Sequence, residues 1–291
     1  MLDCPCLHRV RLGGPALVCA WLACLRVASA QQPSVDPDPT YDTRRDNAHT
    51  DRIILVSTAE THPRGTLYLS NYQLLIARVG CAFTDWLQTE LKLLPGIADA
   101  PAPLRGGMWA LDGSAKANII RMDAFRLAAS GGVGLVVWGR GHESFETRFD
   151  IASQVCLPDG AARCRHSFSL NVGGVFMPAT TVPLVFAVGV GGTLAITNAV
   201  HLLLEVSYPF APEIRTYIEG DRPHVSGFKQ ALLPAMGLRY AQPSWAFDLF
   251  WIASIGDFGV GPFGPIAWEA VDNDIGVIGV AFTYRDVPEP R

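Results

Sequence analysis

Trp86-Leu87-Gln88-Thr89-Glu90-Leu91-Lys92-Leu93-Leu94 alternates in character, residue by residue. Leu87, Leu91 and Leu93 share one face with Thr89, while Gln88, Glu90 and Lys92 share the other. In an extended chain successive side chains point to opposite sides, so a period of two marks a strand with two chemically different faces. The same period runs through Phe125 to Val137, with Phe125, Leu127, Val133, Leu135 and Val137 on one side. Val200, Leu202, Leu204, Val206 and Tyr208 alternate with His201, Glu205 and Ser207, and Ile278, Val280, Phe282 and Tyr284 alternate with Gly279, Ala281 and Thr283.

Outward from these stretches, about twelve such runs are expected, near 53–58, 66–81, 86–94, 113–121, 125–136, 148–156, 164–176, 183–194, 199–208, 228–240, 244–254 and 274–284. The second run is broken by Asn71 and Arg78, and Pro234 in the tenth suggests a bulge, because proline cannot donate to a ladder. Tight turns are expected at Thr84-Asp85, Met122-Asp123-Ala124, Thr197-Asn198 and Gln242-Pro243. Longer connections rich in Gly, Pro and aromatics are expected around 95–112, 137–147, 209–227 and 255–273. Short turns thus gather at one end and long loops at the other, the asymmetry of an antiparallel up-and-down barrel that crosses a membrane.

Composition agrees with that class. The 291 residues are 49% hydrophobic and 17% charged, with a net charge of −4 and mean hydropathy of +0.22. A mildly acidic balance offers no nucleic-acid surface. Arg9 and Arg11, the apolar stretch Pro15 to Val27, and Ala28-Ser29-Ala30 form the three parts of a secretory signal, with cleavage expected after Ala30. The apolar stretch is shorter than a spanning helix, which weighs against a permanent anchor. Cys24 stands where a lipoprotein cysteine would, but Trp21 replaces the expected leucine. Residues 31–52, rich in Pro, Asp, Thr and Arg, show no apolar period and are expected to be a flexible periplasmic leader. The barrel is expected over 53–285, followed by a tail at 286–291.

Of seven cysteines, four lie in the expected signal. Cys156 and Cys164 flank Leu157-Pro158-Asp159-Gly160, a turn that brings them together, so an oxidising compartment favours a disulfide over two free thiols. His166 alone would not complete a zinc site, and no metal or cofactor is expected.

Alternation by itself does not separate a membrane barrel from a soluble one with its apolar face inward. Strand length, aromatics near strand ends (Trp86, Phe125, Phe149, Phe176, Tyr208, Tyr240, Trp245, Trp251, Tyr284) and a small or polar opposite face (Gly132, Gly134, Ala187, Gly189, Gly191, Gly237, with Asn118) favour the membrane. A secreted β-sandwich is the competing fold. A helical membrane protein fits poorly, since Val182 to Ile196 is too short to span and carries three glycines and Pro183.

Thr66-Leu67-Tyr68-Leu69-Ser70-Asn71-Tyr72, Phe83-Thr84-Asp85-Trp86-Leu87 and Ala129-Ser130-Gly131-Gly132-Val133-Gly134 resemble recurrent stretches of uncharacterised Gram-negative outer-membrane β-barrel proteins, porin-like and without an assigned activity. The resemblance implies the fold and an outer-membrane location and brings no catalytic residues. One departure is the end: many such barrels finish on an aromatic read by the barrel-assembly machinery, whereas Tyr284 is followed by Arg285 to Arg291.

No catalytic constellation stands out. His166 and Ser167 are adjacent and point to opposite faces, and His201 and Glu205 lie about 13 Å apart along a strand. The lumen-lining candidates are Glu90, Lys92, Lys116, Arg126, His201, Glu205, Arg239 and Asp248. They could line a narrow aqueous path or neutralise one another in a closed lumen, and closure is favoured at this strand number. The expected role is a non-enzymatic outer-membrane barrel, structural or passing small solutes, embedded in the lipid bilayer beside lipopolysaccharide. A lipid-modifying enzyme and a secreted β-rich binding protein are the alternatives.

Overall fold

A computed structural model describes residues 43–54, 56–72, 76–94, 108–138, 142–159, 162–176, 184–210, 214–219, 222–227, 232–252 and 277–286. The expected signal, residues 31–42 of the leader and the tail beyond Asp286 lie outside the described residues.

Twelve antiparallel strands close into a barrel. They are β1 (Leu67–Tyr72), β2 (Ile76–Ala82), β3 (Leu87–Leu94), β4 (Met108–Arg121), β5 (Phe125–Trp138), β6 (His142–Asp159), β7 (Ala162–Phe176), β8 (Leu184–Ala195), β9 (Val200–Phe210), β12 (Leu233–Ala241), β13 (Trp245–Ile252) and β14 (Val277–Asp286). A separate hairpin, β10 (Ile214–Glu219) with β11 (Arg222–Gly227), interrupts the connection between β9 and β12. Each barrel strand pairs with its neighbours in sequence, and β1 closes on β14 from Leu67↔Asp286 to Tyr72↔Ala281. Inside that seam the Ser70 and Thr283 hydroxyls meet at 2.9 Å.

Two expectations about the first strands are corrected. Residues 53–58 form no wall strand, and the untidy run 66–81 is two strands, β1 and β2. Arg78 and Asn71 break a single apolar face because the chain reverses between them. The two errors compensate in the count of twelve. Near 137–147 the chain is mostly strand, not loop, since β5 runs to Trp138 and β6 begins at His142. Pro234 sits opposite Val206 with no register shift; shifts occur instead at Asn118/Ile120 and Leu157/Asp159. The tight turns lie where expected, between β2 and β3, β4 and β5, β8 and β9, and β12 and β13.

The wall is apolar outside and polar inside. Leu69, Val133, Ile151, Phe168, Met236, Leu249 and Ile278 are exposed, while Ser70, Gln88, Lys116, Gln154, Ser169, Arg239 and Asp248 are buried toward the lumen. A large contiguous apolar exterior is stable only in lipid, and closure leaves no unpaired sheet edge there. At the short-turn end exposed Trp86, Tyr240, Trp245 and Tyr284 make an interfacial girdle. Tyr240 and Trp245 stack at 5.2 Å, and Trp245 lies in register with Tyr284.

Residues 43–66 lie inside this wall. A helical turn, Thr43–Asp46, stands at the short-turn end, where Ala48 N–H donates to the Gln242 carbonyl at 3.1 Å. The chain then rises into the lumen, reverses through a bridge between Arg52 and Ser57, and returns through Glu60 and His62 to β1. The expectation of a flexible leader up to residue 52 is therefore corrected for residues 43–52: Ala48, His49, Thr50 and Asp51 are buried. Polarity misleads at this segment because its polar groups are satisfied by the lumen wall instead of by water. At the tip Ile53, Ile54 and Val56 pack on Tyr72, Leu203, Ala235, Phe250 and Ala281. The returning arm seats Ala59 on Ala128 and Ala152. The small inward residues of the wall thus make room for chain, and Gly191 is one of them: a Cβ there would stand 2.6 Å from Ile53 Cδ1.

Candidate functional site: the occupied lumen

The inner segment is held by polar side chains from nearly every side of the barrel. Arg239 on β12 is a hub. It makes a two-pronged pair with Asp248 on β13, both contacts at 2.8 Å, and donates to the carbonyls of His49 (2.7 Å), Arg52 (3.2 Å) and Ile53 (2.6 Å). On the adjacent strand, Glu205 of β9 accepts the Ile54 and Val56 N–H groups, each at 3.0 Å. A carboxylate taking two backbone donors is a strong, directional clamp. Lys116 donates to the Asp51 carbonyl at 3.0 Å. Gln154 accepts the Ala59 N–H at 3.1 Å, Asn118 donates to the Ala59 carbonyl at 2.8 Å, and Gln88 accepts the His62 N–H at 3.0 Å. These bonds satisfy backbone groups that would otherwise be buried without partners.

Charge pairs complete the attachment. Asp51 pairs with Arg78 at 2.8 Å, and Glu60 pairs with Arg126. At the rim Arg285 donates to the carbonyls of Arg44, Arg45 and Pro243, and Arg44 reaches the Thr61 and His62 carbonyls and Asp85. Arg78 and Arg285 are among the largest fully buried side chains.

Two histidines sit in this network. His49 Nδ1 stands 2.9 Å from Asp248 Oδ2, and its Nε2 meets the Tyr72 hydroxyl. Burial, helped by Arg239 and opposed by Asp248, pulls His49 down to about 4, so the ring is neutral at pH 7. Burial with Arg285 and Arg78 likewise holds His62 well below its ordinary value. For Asp51, burial pushes upward but Arg78 and Arg52 outweigh it, keeping the carboxyl well below the usual range. The Asp248–His49–Tyr72 line can hold a proton, and it is buried, with His49 0% and Tyr72 7% exposed.

The structure gives most of the lumen-lining candidates specific contacts. Lys116, Glu205, Arg239, Asp248 and Arg126 hold the inner segment. Glu90 joins Arg78 at 3.1 Å and Lys92 at 2.8 Å. His201 is buried at 1%, in register with Arg239 across β9 and β12. Gln88 and Asn118 were legible on the polar face but not singled out as candidates, while Arg78, Gln154, Arg285 and the whole inner segment were not anticipated. Arg285 had a signal: it follows outward Tyr284 in the alternation and so faces inward.

Cys156 and Cys164 are joined as a disulfide at the short-turn end, their Cα atoms 4.5 Å apart. Cys164 takes φ 58°, a left-handed conformation unusual for a side chain with a Cβ, near the register shift of β6 on β7. Among the described residues, one group of potential metal ligands converges, Glu60 with these two sulfurs. Their disulfide leaves no thiolate to ligate. His166 accepts the Ala195 N–H at 3.1 Å, while Ser167 faces the lumen, so the two do not pair.

Above the inner segment a cleft of about 80 Å³ is floored by Asp51, Arg52 and Ser57 and walled by β3 to β7.

No family model and no curated protein matches the chain. Among solved structures it is similar to a KdgM porin in complex with disordered oligogalacturonate, at 8% identity and a TM-score of 0.46, covering 75% of this chain and 96% of that one. A NanC porin follows at 7% identity and 0.41, covering 76% and 97%. LpxR from Salmonella typhimurium matches at 7% identity and 0.42, covering 76% and 99%. Such identities transfer no activity, and the class rests on the molecule's own geometry. An apolar outer wall, a polar lumen and full antiparallel closure define a transmembrane β-barrel. Its particular feature is an N-terminal segment folded back into the lumen.

Proposed function

We propose that the protein is a non-enzymatic barrel of the bacterial outer membrane whose lumen is plugged by residues 43–66, and that it passes small solutes only when the plug shifts. Export would follow cleavage after Ala30, with the short turns in the periplasm. The lipid and lipopolysaccharide contacts would fall on the apolar wall, and the barrel-assembly machinery would act on the chain during insertion. The observation that carries this is the Arg239 hub: one buried guanidinium binds three plug carbonyls and Asp248. Removing one member of a buried pair of this kind costs about 3–5 kcal/mol, so the plug is not a loosely resting tail.

Planar bilayers test the idea. The full chain should be silent, and a chain lacking residues 43–62 should carry steady current. Equal, steady conductance by both would overturn the plug.

A further inference from the structure

We propose that the cleft above the plug binds a small zwitterion, a molecule carrying both a free ammonium and a free carboxylate. The proposal rests on the plugged-barrel reading only for its floor, which Arg52 supplies.

The argument starts from an alternating ladder of charge across the cleft wall. Arg52 faces Glu90 at 3.7 Å, Glu90 faces Lys92 at 2.8 Å, Lys92 faces Asp112 at 3.4 Å, Asp112 faces Arg148 at 3.7 Å, and Arg148 meets Glu146. Most of these contacts are longer than a good charge-assisted hydrogen bond, about 2.7–2.9 Å. The ladder is balanced in charge but short of hydrogen bonds. Asp112 is 4% exposed, lines the cleft, and has no hydrogen-bond partner at either oxygen. The Nε groups of Arg52 and Arg148, in the same cleft, are also buried without one. Buried polar atoms left this way cost free energy until something pairs with them.

An anion entering here would meet Arg52 or Arg148 but also Glu90 and Asp112. A cation would meet the reverse. A dipolar molecule serves both orphan sets at once, ammonium on Asp112 and carboxylate on Arg52 or Arg148, and leaves the ladder neutral. No bond forms or breaks; the step is recognition alone.

The test uses the purified full chain in detergent and saturation-transfer NMR with four probes. Glycine and glycylglycine carry both charges and separate an amino-acid source from a peptide one. N-acetylglycine carries the negative charge alone, and glycinamide the positive. At least one zwitterion should bind saturably and about tenfold more tightly than either half-charged probe. Asp112→Asn, nearly isosteric and checked for closure by heat-modifiable gel migration, should weaken the zwitterion about tenfold and strengthen N-acetylglycine. Equal binding of all four probes, or none by either zwitterion, would overturn the site. Steady current through the full chain with selective zwitterion binding would instead count against the plug and leave the site standing.

Discussion

Gly80 shows how tightly one residue can be specified. It lies opposite Tyr68 across β1 and β2, and a Cβ there would stand 2.0 Å from Tyr68 Cζ. The ring lies over the glycine, 4.3 Å from the His62 ring and under the Arg78 guanidinium at 5.2 Å. Gly80→Val must push the ring off this position and so disturb the Asp51–Arg78 pair beside it. Overpacking of this sort costs about 1–3 kcal/mol, to be read as a lowered denaturant midpoint. Gly113→Ala is the control: its Cβ would first meet Leu91 Cδ1 at 4.0 Å, an ordinary contact, and should leave the midpoint in place.

At the scale of the element, the plug should answer to pH. His49 has an ordinary value of 6.5 and sits at about 4 in the folded chain. The unfolded chain therefore takes up a proton on this ring that the folded one refuses. The stability His49 lends is full above 6.5 and lost as pH falls toward 4, and His62 acts in the same direction. Asp51, held low, loses its share only at still lower pH. The denaturant midpoint should therefore fall between about pH 7 and pH 4.5, and His49→Gln with His62→Gln should flatten that profile. An unchanged slope in the double variant would show that other groups govern it. The element also explains the sequence expectation it replaced. Its polar residues look the same whether they are to be solvated or to meet wall side chains.

At the scale of the whole molecule, the wall, girdle and turns set an orientation. The plug and the chain's entry lie at the short-turn end with Gln242, Pro243, Asp85 and Arg285. A cysteine at Asn198, exposed in the β8–β9 turn, should resist a membrane-impermeant polymeric maleimide in intact cells and react once the outer membrane is breached. Labelling of intact cells would invert the assigned topology. Cys81, the free cysteine among the described residues, is buried and should stay silent in both states.

The alternation of the chain is enough to foresee most of the wall. A period of two is local, and so are the turn residues at Thr84-Asp85, Met122 to Ala124, Thr197-Asn198 and Gln242-Pro243, so the strands from β3 onward and their two unlike faces were legible, whereas the first two strands, where Arg78 interrupts the pattern, were not. The Cys156–Cys164 link was legible too, because eight positions of chain hold its ends together. The filling of the lumen emerges only once the barrel has closed. Arg239 and His49 are 190 positions apart, and Glu205 and Ile54 are 151 apart. No local pattern states that a carboxylate on β9 will accept the N–H groups of a segment before the first strand. Inward alanines and glycines read equally as an empty lumen or as a seat for chain. Closing the barrel buries those distant groups within hydrogen-bonding reach of one another, and a buried polar group left unpaired is costly, so the occupied lumen is favoured.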